Sequence, residues 1–80
     1  MSDTMERVKK VTVEVLKVDP SKVEESSRFV EDLGAESIQS IELVAAFEEE
    51  FDIEMDEDAA LSVKTVGDAT TFIDKVISEQ

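Results

Sequence analysis

Apolar side chains recur at helical spacing in three long stretches of this chain and one short one. Over residues 4–17, Met5, Val8, Val11, Thr12, Val15 and Leu16 share one face, as in an amphipathic helix. Ser2, Asp3 or Thr4 can cap its start, and Asp19-Pro20 marks its end, because the residue before proline is pushed out of the α region. A second helix is predicted over residues 37–51, with Leu43, Val44, Phe47 and Phe51 on its core side and Ser40 between them. A short third helix fits residues 56–61, with Asp56 as N-cap. The fourth covers residues 66–78. Thr65 and Asp68 stand as N-cap and N3 of a capping-box variant, and Ala69, Phe72, Ile73, Val76 and Ile77 follow at unbroken helical spacing. "VTVEVLKV" also alternates with period two, but no partner strand exists elsewhere. The expected fold is therefore all-α: a small four-helix bundle of three longer helices and one short third helix.

Between the first two helices lies a connection over residues 18–36, longer than loops in compact domains usually are. Val23, Phe29, Val30 and Leu33 give it apolar anchors, so it should pack against the bundle. Gly34 permits an unusual backbone angle just before the second helix. No repeat or low-complexity segment interrupts the 80 residues, which are expected to form one domain, 1–80, working as a monomer.

Charge changes the picture more than size does. Asp and Glu number 21 against 8 Lys and Arg, a formal net charge of −13. Such a field repels nucleic acid and anionic membranes and attracts basic protein surfaces. Hydrophobic residues make up 41%, too many for a disordered acidic tail. No cysteine is present, no apolar run approaches the roughly 20 residues that span a bilayer, and "MSDTMERVKK" has no apolar signal core. A cytoplasmic protein is expected.

Composition also narrows the chemistry. With no histidine and no cysteine, neither a Ser-His-Asp nor a Cys-His arrangement can form. A Ser-Lys pair needs a desolvated lysine, and every lysine falls in a segment that reads as solvated. Glu50, Asp52, Glu54, Asp56 and Asp58 alternate like a calcium loop, but Met55 and Leu61 stand where that loop needs its glycine and its final glutamate. No metal site and no enzymatic activity are expected.

Ser37, at the head of the second helix, then stands out. One reading makes it only an N-cap, in an acidic helical adaptor or weak calcium-binding module. The other makes it a point of modification, because a helix N-terminus stabilises a phosphate. Beside it Ile38, Ile41 and Ala45 form an apolar strip bordered by Glu42, Glu48 and Glu49, the anatomy of a docking patch.

"FVEDLGAESI" resembles the acyl carrier protein family's stretch F-x-E-D-L-G-A-D-S-L. "IELVAAFEEEFDIEM" resembles the family's recognition helix, and "ERVKKV" and "TVGDATTFI" its first and last helices, so the likeness covers almost the whole chain. The resemblance implies that Ser37 receives 4′-phosphopantetheine from coenzyme A through a phosphopantetheinyl transferase. The arm then carries acyl groups as thioesters to fatty-acid or related biosynthetic enzymes with basic docking surfaces. It also implies that the acyl chain can retreat among the helices, near Leu43, Phe47, Val63 and Phe72. Some positions depart from the family pattern. Glu36 replaces an aspartate and Ile38 a leucine, both conservatively and both on the face expected to meet partners; Gln39 removes a carboxylate. Ala45 stands for a frequent methionine and Leu61 for a frequent glutamate, which bears on which partners the docking face selects.

Overall fold

The computed structural model describes residues 3–79. It is all-helical, with α1 over Asp3–Leu16, a single 3₁₀ turn over Pro20–Lys22, α2 over Ser37–Phe51, α3 over Glu57–Leu61 and α4 over Val66–Ser78. Among the described residues there is no strand, only an isolated bridge between Arg28 and Thr65. The expected bundle of three longer helices and one short one forms. Of the candidate caps for α1, Ser2 lies outside the described residues, while Asp3 and Thr4 fall within the helix.

The central element is α1, which packs against both α2 and α4. Val8, Val66 and Ile73 are fully buried at this junction, with Val11, Leu43, Phe47 and Ala69 around them. Thr12 and Thr70 join this core because each hydroxyl donates back to a carbonyl of its own helix, to Val8 O at 2.8 Å and Val66 O at 3.0 Å. At the far end of α2, the Arg7 guanidinium donates to a Glu50 carboxylate oxygen at 2.8 Å and lies 4.4 Å from the centroid of the Phe51 ring. That contact joins α1 to α2 by charge and by stacking, though a half-exposed pair of this kind contributes only about 0–1 kcal/mol.

Two helix ends differ in detail from expectation. Pro20 does not end α1; Lys17 does, by turning into the left-handed region at φ 55° while its N–H bonds Val13 O at 2.8 Å. Pro20 instead opens the 3₁₀ turn, capped by the Asp19 carboxylate, which accepts from Ser21 N at 2.9 Å. Ile77, which follows the apolar spacing of α4, is 40% exposed, because it lies in the last turn of the helix, beyond Ile73, its last buried residue.

The long connection does pack. Val23, Phe29 and Leu33 are buried, as is Ser27, whose hydroxyl is satisfied by Lys22 O and Glu24 N. Its backbone runs beside the approach to α4: Phe29 N donates to Lys64 O at 3.0 Å, Val66 N to Ser27 O at 3.0 Å and Gly67 N to Glu25 O at 2.8 Å. Gly67 allows this approach, since a Cβ there would stand 2.7 Å from Glu25 Cγ and 3.0 Å from its carbonyl oxygen. Val30 corrects the expectation of a buried anchor. It is 60% exposed and lies beside Phe29 at the edge of the cavity described below, so it is only partly covered.

Candidate functional site: the head of the second helix and the cavity beside it

The segment leading to Ser37 is held by local geometry. Asp32 closes a turn on Arg28, accepting from its backbone N at 2.8 Å and its Nε at 3.2 Å. Those Arg28 bonds hold the Asp32 carboxyl below its ordinary range. Gly34 follows with a φ of 71°, where any other residue is strained. Ala35 N then bonds Phe29 O at 2.8 Å and brings the chain back to the bundle. Asp32 and Gly34 thus aim the head of α2.

The N-cap of α2 is Glu36, not Ser37. This corrects the reading of Ser37 as merely a cap. Glu36 N donates to Gln39 Oε1 at 2.9 Å, so the residue that departs from the usual carboxylate has a structural role, the return half of a capping interaction. Ser37 is the first residue of the helix. It is exposed, and its hydroxyl has no hydrogen-bond partner among the described residues. The leading N–H groups of α2 have no carbonyl within the helix to bind, so they face outward beside that hydroxyl.

On the exposed side of α2, Ile38 is 66% and Ile41 52% exposed, with Glu42, Ala45 and Glu49 also exposed around them. Glu48 does not join this rim. It is half-buried, and its carboxylate accepts from Met55 N at 2.9 Å, tying α2 to the segment that leads into α3. Helical rotation separates it from Glu49 by one residue, enough to turn one carboxylate inward and the next outward. Leu61 at the end of α3 is 43% exposed.

Because α1 takes the main contacts of both α2 and α4, a space remains on the opposite side. It is a cavity of about 310 Å³. Its apolar walls come from Leu43 and Phe47 of α2, Ala60 and Leu61 of α3, Val63 and Ala69, with Phe29 and Met55 from the loops. Arg28, Glu31 and Lys64 also line it. Of the four side chains expected beside an acyl chain, Leu43, Phe47 and Val63 are in this wall. Phe72 is not: it is half-buried on α4, one residue before the inward Ile73 and so turned about 100° from it. Sequence reading missed Met55, Ala60 and Ala69 as wall residues. Small alanines carry little periodic signal, although a methionine is a common gap-filler at irregular walls.

A family model described as a phosphopantetheine attachment site matches residues 6–73. The chain belongs to that family. It is a carrier and not an enzyme, and 4′-phosphopantetheine is the group that such domains bear. Carriers of this family meet transferases and processing enzymes. The residues present fit the group: an exposed hydroxyl with no partner among the described residues stands at the head of α2, where a phosphate is favoured, and the same helix lines the apolar cavity from Ser40 onward. No helix among the described residues is long and apolar enough to cross a membrane.

Proposed function

We propose that this carrier bears its arm on Ser37 and conveys acyl groups as thioesters among enzymes of fatty-acid or related lipid and secondary-metabolite synthesis. The observation that carries this reading is the pairing of a free hydroxyl on the first residue of α2 with the apolar cavity that α2 flanks. Ser37 would hold the phosphodiester, and the leading N–H groups of α2 would offset its charge among the surrounding carboxylates. When bound, the group supplies a thiol that takes an acyl chain as a thioester. Leu43, Phe47 and Val63 offer an apolar wall for that chain, which gains about 0.8 kcal/mol for each methylene withdrawn from water. Ile38, Ile41, Ala45, Glu42, Glu49 and Leu61 form the face on which a phosphopantetheinyl transferase and later enzymes would dock, with the charged rim speeding encounter. Neither a base nor a thiol of this chain takes part, which agrees with the absence of His and Cys. The carrier would work in the cytoplasm as a monomer, and its net charge discourages self-association.

Intact mass after incubation with coenzyme A and a phosphopantetheinyl transferase tests the site. The native protein should gain one arm, and Ser37→Ala should gain none. Because Glu36 rather than Ser37 caps the helix, the variant should keep its stability to within about 0.5 kcal/mol. An alanine variant that still acquires the arm refutes the assignment.

A further inference from the structure

Glu42, Glu48 and Glu49 look alike in sequence, but one of them has a partner inside the molecule. The Glu48 carboxylate accepts from Met55 N at 2.9 Å across seven residues of chain. Met55 is half-buried and lines the cavity. The stretch from Asp52 to Asp56 has few other ties. Asp52 leaves α2 in the left-handed region, Ile53 is buried and its N–H bonds Glu48 O at 3.1 Å, and Asp56 caps α3. Glu48 therefore fixes both ends of a short span, through its carbonyl at Ile53 and its side chain at Met55.

We propose that Glu48 is a positioning residue for the cavity, holding Met55 and the start of α3 in place so that the wall facing Leu43 and Phe47 stays closed over a sheltered acyl chain. It acts through Met55 and not by docking a partner. The acidic residues of α2 thus differ in what they do, with Glu42 and Glu49 facing outward for encounter and Glu48 facing inward for retention. Retention requires an acceptor atom at that position but not a negative charge. A glutamine can place its Oε1 where the carboxylate oxygen stands, whereas an alanine cannot. The cargo part of this inference rests on the proposed function, while the hydrogen bond to Met55 does not.

Two measurements on the full chain test it. In the unmodified protein, amide hydrogen exchange at Met55 should quicken in Glu48→Ala by about ten- to a hundredfold, the range set by a hydrogen bond to a charged acceptor. Exchange at Val8 and Val11 should stay unchanged, and Glu48→Gln should retain protection at Met55. The second measurement uses carrier loaded with a decanoyl arm from decanoyl-coenzyme A. Nuclear Overhauser contacts from the acyl methylenes to Leu43 and Met55 should be present in the native protein and in Glu48→Gln, and lost or much weakened in Glu48→Ala. Glu49→Ala should keep them. Unchanged Met55 exchange in Glu48→Ala overturns the positioning role. Equal acyl contacts in native and Glu48→Ala protein overturn the retention role alone. Absence of those contacts in the native protein refutes the sheltering cavity itself, and with it any cargo role for Glu48.

Discussion

Filling the cavity should stabilise this carrier, which is the reverse of what enlarging a side chain in a packed core does. Ala69 is the residue for the test, because it is 3% exposed on α4 and lines the space between α2, α3 and the loops. A cavity of about 310 Å³ is far larger than the roughly 10–15 Å³ of the same measure that holds a single water. The three carbons that Ala69→Leu adds therefore fit without displacing a neighbour. At about 0.8 kcal/mol per buried methylene the gain is about 2.4 kcal/mol. Ordering the leucine side chain costs about 0.5–1 kcal/mol. The net stabilisation is about 1.4–1.9 kcal/mol, a rise in melting temperature of about 6–15 °C for a domain of this size. Circular dichroism melts of the unmodified native and variant proteins read it directly. A medium-chain acyl group loaded on the arm should raise the melting temperature of the native carrier and add much less to the variant, since both occupy one space. A fall in melting temperature would refute the reasoning, because overpacking a filled core costs about 1–3 kcal/mol. It would mean that no usable space stands beside Ala69.

Other outcomes follow from exposure and charge. Reversing Glu42 and Glu49, both exposed on α2, to lysine should slow association with a phosphopantetheinyl transferase and flatten its salt dependence while leaving the melting temperature nearly unchanged; equal on-rates in stopped flow would refute the docking role. Leu61→Glu should be nearly neutral in stability, since Leu61 is 43% exposed, and together with Ala45→Met should raise turnover by general fatty-acid elongation enzymes; stable protein without that gain would show that these positions do not choose partners. Acid should loosen the segment before Ser37. The Asp32 carboxyl lies below its usual value because Arg28 bonds its ionised form, so its contribution is complete above about pH 4, the unfolded value, and is lost as pH falls through the folded one. The Asp32 resonances should titrate below that pH, and Arg28→Met should move the midpoint upward; an unmoved midpoint would refute Arg28 as the cause.

Much of this molecule was legible in one dimension. Helical periodicity placed α2 and α4, and the cap residues Asp56 and Thr65 marked where α3 and α4 begin, because caps and periodicity are local properties of the backbone. The motif before Ser37 and the acidity of α2 pointed to a modified carrier, and the match over residues 6–73 agrees with it. Helical phase set Glu49 opposite the core and Glu48 toward a flank, but local pattern could not say that the Glu48 carboxylate would find a donor inside the molecule. Glu48 and Glu49 differ only in helical phase, and the segment that returns through Met55 N decides which carboxylate finds a donor. Nor could it exclude Ser37 as the cap, since Glu36 takes that place through a loop bent by Gly34 and held by Asp32 on Arg28. Phe72 and Ile77 matched the apolar period of α4 but do not complete its buried face, because periodicity gives a direction and not what covers it. The cavity is the clearest product of tertiary structure. It exists because α1 takes the main contacts of both α2 and α4, leaving between them a space that small residues such as Ala60 and Ala69 do not fill.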